Sequence, residues 1–80
     1  MQTIFIWVKC QLGQAYAVAA EAVETVEQVS EVHSVSGEWD LLMKCYLSDT
    51  QDIGHFVNEH IQLLPGVKDT FTTITFKAFS

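Results

Sequence analysis

The first residues of the chain alternate between two faces, as the residues of a β-strand do. Between Thr3 and Cys10 every second residue is apolar, and these residues are Ile4, Ile6, Val8 and Cys10. An apolar period of two predicts a strand over this stretch.

After Gly13 the apolar residues recur three and four positions apart, which is the spacing of one face of a helix. The expected apolar stripe consists of Tyr16, Ala19, Ala20, Val23 and Val26. The solvent side of this helix is expected to carry Gln14, Glu21 and Glu24. The pattern predicts that the helix ends near Glu27.

Two short runs of strand-forming residues follow, Val29–Ser36 and Leu41–Leu47. We expect them to form a hairpin that turns at Gly37. In the second run one face is continuously apolar and consists of Leu41, Met43, Cys45 and Leu47.

A second helix is predicted after this hairpin, with candidate N-caps at Ser48, Asp49 and Thr50. Its apolar stripe is formed by Ile53, Phe56, Val57, His60, Ile61 and Leu64. Pro65 and Gly66 predict the end of the helix, and the range Val67–Phe79, rich in Thr, Phe and Ile, predicts a final strand.

This order of elements indicates an α+β domain of the ferredoxin-like βαββαβ type, formed by residues 1–80 as a single unit. Its four-stranded antiparallel sheet would carry both helices on one face. The other face would expose Phe5, Trp7, Leu42, Tyr46, Phe71, Thr73 and Thr75. Because monomers rarely expose so much apolar surface and a core of this size is thin, we expect a second copy to cover that face, forming a dimeric α+β barrel.

The charge of the chain argues against nucleic-acid binding. The chain contains four lysines, no arginine and ten acidic residues, which gives a net charge of −6. Such a surface repels phosphate backbones, and no DNA-binding motif is visible. No apolar run reaches the roughly 20 residues that span a bilayer, and no secretory signal is present, so we expect a cytoplasmic protein that contacts neither membranes nor nucleic acid directly.

Three segments together are similar to one known family. Val35–Asp40 resembles its V-x-G-x-aromatic-D turn, Leu64–Val67 resembles its L-P-G-V helix exit, and Thr70–Ile74 resembles its T-x-T strand. The chain thus resembles the effector-binding (RAM) domain of the Lrp/AsnC family of feast-or-famine transcription regulators. Family members usually begin with a helix-turn-helix DNA-binding domain, so the chain looks like the stand-alone form of the ligand-binding domain.

The candidate ligand site centres on Asp40. An aspartate at the start of a strand either caps a turn by accepting backbone hydrogen bonds or is held there for a ligand. The amides around Gly37 and the Asp40 carboxylate could receive the two charges of an amino acid. The resemblance implies a pocket between dimers, with Thr73 and Thr75 supplied by an adjoining subunit, and its candidates are Ser34, Gly37, Trp39, Asp40, Thr50, Thr73 and Thr75.

Histidines and cysteines are expected to be structural. His55 and His60 lack the i, i+4 spacing of two metal ligands on a helix, so no metal and no cofactor are expected. Cys10 and Cys45 are expected to pack as free thiols at the ends of two parallel central strands, which would make them neighbours.

The function implied by the resemblance is small-molecule binding, above all of an amino acid, and oligomerisation linked to transcription regulation. The expected partners are further copies, as a dimer or a ring of four or five dimers, and full-length Lrp/AsnC regulators. One alternative is a small dimeric α+β barrel enzyme, such as a cofactor-free oxygenase or isomerase, for which His60 is the one titratable candidate on the inner face. A purely structural oligomerisation unit is the other alternative. We expect that the protein is not an enzyme, because such chemistry needs a titratable residue in the pocket.

Overall fold

A computed structural model describes all 80 residues. In chain order the elements are β1 (Gln2–Cys10), α1 (Ala15–Thr25), β2 (Val29–Ser34), β3 (Leu41–Leu47), α2 (Ile53–Phe56, continued by the π-helical segment Val57–Ile61) and β4 (Val67–Ile74). The sheet has the strand order β2-β3-β1-β4, and every neighbouring pair is antiparallel. The predicted ferredoxin-like α+β fold is therefore confirmed.

One hydrophobic core joins the sheet to both helices. From β1 it takes Ile4, Ile6, Val8 and Cys10, and from β3 it takes Leu41, Met43, Cys45 and Leu47. The helices contribute Val18, Ala22, Phe56, Val57 and Ile61. The alternation of buried and half-buried residues along β1 and β3 follows from the two-residue period of a strand whose one face is covered.

The opposite sheet face is uncovered and apolar, as the sequence predicts. Trp7 pairs with Leu42 on one side and Phe71 on the other. Phe71 is 57% exposed, although it is a large apolar residue. The chain exposes 5351 Å² in total, whereas a folded chain of this mass exposes about 4,850 Å² by the usual scaling. We call this surface, with Phe5, Trp7, Leu42, Tyr46 and Phe71 at its centre, the bare sheet face.

Helix α1 is rotated relative to the sequence expectation. Val18 and Ala22 are its buried residues, whereas Tyr16 is 79% and Val23 is 64% exposed. The predicted stripe was therefore wrong for Tyr16, Ala20 and Val23. The helix is rich in alanine and valine all round, so its sequence supports more than one stripe, and contact with the sheet selects the stripe that is buried.

Two element boundaries also differ from the prediction. The N-cap of α2 is Asp52, whose carboxylate accepts a hydrogen bond from the His55 amide at 2.9 Å, rather than a residue of 48–50. Strand β4 ends at Ile74 instead of Phe79. It ends there because the Thr75 amide donates to Thr3 O near the start of β1, beyond which the sheet offers no further partner strand.

The two cysteines are buried and free, but they are not neighbours. Strands β1 and β3 are antiparallel rather than parallel, and Cys45 lies opposite Ile4. Cys10 lies at the other end of β1, opposite Val67. The expected proximity of the two thiols was wrong. Neither helix has the length and apolar character that crossing a membrane requires.

Candidate functional site

The loop between β2 and β3 is tied to the end of β1. The Val35 amide donates to Asp40 O at 3.0 Å, and the Asp40 amide donates to Val8 O at 2.9 Å. Gly37, at the exposed tip, has a φ of 97°, which a side chain at that position would strain. These bonds place the predicted turn beside the last residues of β1.

The Asp40 carboxylate also bonds to β1. Its Oδ2 accepts a hydrogen bond from the Cys10 amide at 2.8 Å, at the point where the pairing of β1 with β4 shifts register between Lys9 and Cys10. The Val8 carbonyl, two residues earlier, accepts from the Asp40 amide and so faces the same side of β1 as the Cys10 amide, where β3 begins only at Leu41. Asp40 thus caps a neighbouring strand rather than its own turn. Its second oxygen makes no hydrogen bond within the chain.

A cavity of about 310 Å³ opens beside Asp40. Its walls are the segment that leads from β1 into α1 and the Asp40 side chain, and the lining residues are Cys10, Gln11, Leu12, Gly13, Ala15, Tyr16 and Asp40. Of the site residues predicted from the sequence, Asp40 is the one that lines this cavity. The sequence analysis did not predict the other lining residues, although it did identify Gly13 as the turn between β1 and α1.

The wall of the cavity is held in place by the turn before β4. The Gln11 amide donates to Gly66 O at 2.8 Å. Gly66 has a φ of 93°, and a Cβ there would lie 2.9 Å from Val18 Cγ2. Glycine at this position therefore allows the turn and α1 to approach closely. Burial, and then the nearby Asp40 charge, raise the pKa of the Cys10 thiol, so this thiol stays protonated beside the cavity.

The remaining predicted site residues divide between the two ends of the sheet. Ser34 is paired with Leu41 at the Asp40 end, and Trp39 lies 6.3 Å from Phe71 between ring centroids. Thr73 is on the bare sheet face opposite Phe5, and the Thr75 hydroxyl donates to Thr3 O. Thr50 lies in the turn after β3.

The distance between the two groups follows from the register of the sheet. Val8 is paired with Leu41 and Gln2 with Leu47, so the two ends of the sheet are about 20 Å apart at roughly 3.4 Å per residue. One chain therefore brings together Ser34, Gly37, Trp39 and Asp40, and it does not bring Thr50, Thr73 or Thr75 to them.

A charged cluster lies at the β2 edge of the bare sheet face. Glu31 accepts from His33 Nε2 at 2.9 Å and is 3.7 Å from Lys44 Nζ, which itself lies 5.2 Å from the Tyr46 ring centroid. The hydrogen bond from His33, and then the Lys44 charge, lower the pKa of Glu31. His60, expected on the inner face, is exposed and lies 5.6 Å from the Phe56 ring. That expectation was wrong, because the side chain points away from the core.

Comparison with known proteins connects this arrangement to a family of regulators. The model of the Lrp/AsnC ligand binding domain matches residues 3–80. An uncharacterised HTH-type transcriptional regulator from Pyrococcus horikoshii is 40% identical over 57 residues, which are 71% of the chain and 38% of that protein. The chain thus spans less than half the length of the regulator.

Solved structures show the same fold. A protein from Thermus thermophilus is 32% identical and superposes with a TM-score of 0.86, over 100% of the chain and 99% of the solved chain. A transcriptional regulator from Neisseria meningitidis, solved as a complex with L-Met, superposes with a TM-score of 0.84 at 24% identity, over 99% of the chain and 52% of the solved chain.

Proposed function

The chain belongs to the Lrp/AsnC ligand-binding domain family, and from this membership we propose that it binds a free α-amino acid as its effector and couples that binding to transcription regulation. The observation that carries the proposal is the position of Asp40. One carboxylate oxygen holds it to β1, while the other is left without a partner beside a cavity of about 310 Å³.

The free Asp40 oxygen suits the ammonium group of an amino acid, because a charge-assisted hydrogen bond is stronger than a neutral one. Backbone amides in the exposed turn around Gly37 and Trp39 suit the carboxylate. The side chain of the ligand would lie toward Leu12 and Tyr16, which line the same cavity. The L-Met bound by the relative from Neisseria meningitidis supports an amino acid as the ligand class.

Assembly is the second part of the proposal. Two chains would pack their bare sheet faces around a two-fold axis, since this covers Phe71 and the other apolar residues at once. An adjoining dimer would then supply Thr73 and Thr75 to the Asp40 site, which one chain does not unite. A ring of four or five dimers and association with full-length regulators of the family, in the cytoplasm, extend the same proposal.

Calorimetric titration with a panel of amino acids tests the ligand. At least one should bind the parent protein, and Asp40→Asn should weaken it about tenfold or more, because the amide keeps the hydrogen bond to Cys10 but loses the charge that receives the ammonium. Asp69→Asn is the matched control, since that exposed carboxylate bonds only to the next residue, Thr70. Equal binding of the panel by parent and Asp40→Asn would contradict the proposal.

A further inference from the structure

The segment that follows β4 leaves the sheet after Thr75. Thr75 is tied to the start of β1, because its amide donates to Thr3 O at 3.3 Å and its hydroxyl donates to the same oxygen at 2.6 Å. Beyond Thr75 no residue forms a hydrogen bond within the chain. We call residues 76–80, with the sequence Phe-Lys-Ala-Phe-Ser, the β4 extension.

The β4 extension carries two aromatic rings that its own chain leaves uncovered. Phe76 is fully exposed and Phe79 is 89% exposed. The Lys77 ammonium lies 5.3 Å from the Phe79 ring centroid, but this contact is within the extension and does not attach the ring to the sheet. Met1 and Ile74, at the same end of the sheet, are also exposed. Contiguous exposed apolar surface of this kind marks a contact with another molecule.

The β4 extension turns over the bare sheet face without packing on it. An open space of about 740 Å³ is lined on one side by Phe5, Lys44 and Tyr46 and on the other by residues of the extension. Packed protein interiors contain few voids larger than a water molecule, so the extension stands off from its own sheet. It does so at the end where β1 begins, opposite the Asp40 end of the sheet.

A second copy of the chain is the partner that this position fits, a step that rests on the dimer proposed above. The extension lies on the side of the sheet that faces the second copy, so the sheet of that copy would cover the two rings. Each phenylalanine side chain buries about 150–250 Å². The four rings of a two-fold dimer would therefore contribute up to about 600–1,000 Å², a large share of the roughly 1,200–2,000 Å² that a stable interface buries.

The charge of the β4 extension also suits a second copy. Two chains with a net charge of −6 each repel one another. The eleven residues from Thr70 to Ser80 contain no acidic side chain, and Lys77 adds a positive charge to the extension. The extension therefore lowers the repulsion at the place where two bare sheet faces would meet.

We infer that the β4 extension is part of the dimer interface, in which Phe76 and Phe79 of one chain pack on the sheet of the second copy. The two extensions of a dimer would close the barrel at the end where β1 begins. The Asp40 cavity lies about 20 Å away, at the other end of the sheet. The extension can therefore be removed without altering the ligand site of the same chain.

Fluorescence-detected sedimentation of the parent and of a chain shortened to residues 1–75 tests this inference, over a dilution series from micromolar to nanomolar. The shortened chain keeps every core residue and every hydrogen bond, so its circular dichroism should match that of the parent. Its dimer dissociation constant should be at least about 100-fold higher, because each buried ring is lost twice in a two-fold dimer.

Two full-length variants separate the rings from the length of the chain. The double variant Phe76→Ser, Phe79→Ser should weaken the dimer as much as the shortened chain does. Leu63→Ser is the matched control, since Leu63 is an apolar residue, 72% exposed, in the turn before β4 at the other end of that strand. It should leave the dissociation constant unchanged. In a mixture of isotope-labelled and unlabelled chains, filtered NOE spectra should show contacts from the Phe76 and Phe79 rings to the other copy.

A monomeric parent would overturn the proposed dimer and this inference together. A dimeric parent whose shortened form dimerises equally tightly would overturn the inference alone. Ring contacts confined to one chain would mean that the extension covers its own sheet, and loss of larger assemblies with the dimer intact would place it between dimers. Either result overturns the inference, as does a Leu63→Ser variant that weakens the dimer as much as the double variant.

Discussion

Asp40→Ala is expected to destabilise the fold as well as remove a ligand contact. The Cys10 amide donates to Asp40 Oδ2 at 2.8 Å in a partly buried position, on the side of β1 where β3 begins only at Leu41 and offers it no backbone partner. Alanine provides no acceptor, so this amide would be left with at most occasional water.

The expected cost follows from the nature of this bond. A hydrogen bond to a charged group contributes about 1.5–3 kcal/mol, and partial exposure reduces that figure to about 1–2 kcal/mol here. In a domain of this size each kcal/mol of lost stability lowers the midpoint of thermal unfolding by about 4–8 °C. We therefore expect Asp40→Ala to unfold about 4–16 °C below the parent, while Asp40→Asn, which keeps an oxygen acceptor for Cys10, stays much closer to the parent.

Urea unfolding measures the lost free energy of unfolding directly, and thermal unfolding measures the shift in midpoint. Both are carried out at one protein concentration, because self-association adds to the apparent stability. Asp69→Ala is the control, since its carboxylate bonds only to the neighbouring Thr70 amide, and a change within about 0.5 kcal/mol is expected. If Asp40→Ala matched the parent in midpoint and slope, the bond to Cys10 would contribute nothing measurable. If Asp40→Asn lost as much stability as Asp40→Ala, the charge rather than the acceptor would carry the effect.

The same contacts lead to four further predictions. The parent should sediment at twice the 9.0 kDa chain mass, or at a multiple of that dimer mass, at micromolar concentration. Phe71→Asp should sediment as a monomer because it puts a charge into the packed sheet faces, and a monomeric parent would contradict the dimer. Val18→Ala should lower the free energy of unfolding in urea by about 1.5–3 kcal/mol, whereas Val23→Ala on the exposed side of α1 should leave it unchanged or raise it slightly. Equal losses of stability in the two variants would mean that α1 buries a different face. Burial raises the pKa of the Cys45 thiol to about 12. The stability that this protonated thiol contributes is therefore complete below the thiol pKa of the unfolded chain and declines as the pH rises from that value toward 12. This decline should be missing from the pH profile of stability of Cys45→Ala. Finally, the purified chain should give no DNA gel shift at 150 mM salt, and a shift that survives this salt would contradict the charge argument.

The strands and their turns could be predicted from the sequence. The buried faces of β1 and β3 follow from strict alternation, because a strand has only two faces and one of them is covered. Gly37 and the Pro65–Gly66 pair mark turns by residue type alone, and Gly37 and Gly66 have the positive φ that glycine tolerates. The order of these elements was enough to indicate the sheet topology, since few connections satisfy the handedness rule.

The position of Asp40 in the candidate site was also predictable, but its partner was not. Its carboxylate bonds to the amide of Cys10, thirty positions earlier in the chain. No local pattern encodes a bond across that separation, because the register of two strands determines it. The register of β4 on β1 likewise places Thr73 opposite Phe5, away from Asp40.

The rotation of α1 and the cavity beside Asp40 were decided by the tertiary structure alone. An apolar helix offers several stripes of similar hydrophobicity, and contact with the sheet selects Val18 and Ala22 over Tyr16 and Val23. The Asp40 cavity joins the segment between β1 and α1 to a side chain that lies well over twenty positions later in the chain, so its shape and charge exist only once the chain has folded. Periodicity in a sequence predicts which helices and strands form, whereas packing between these elements decides which of their faces and residues come into contact.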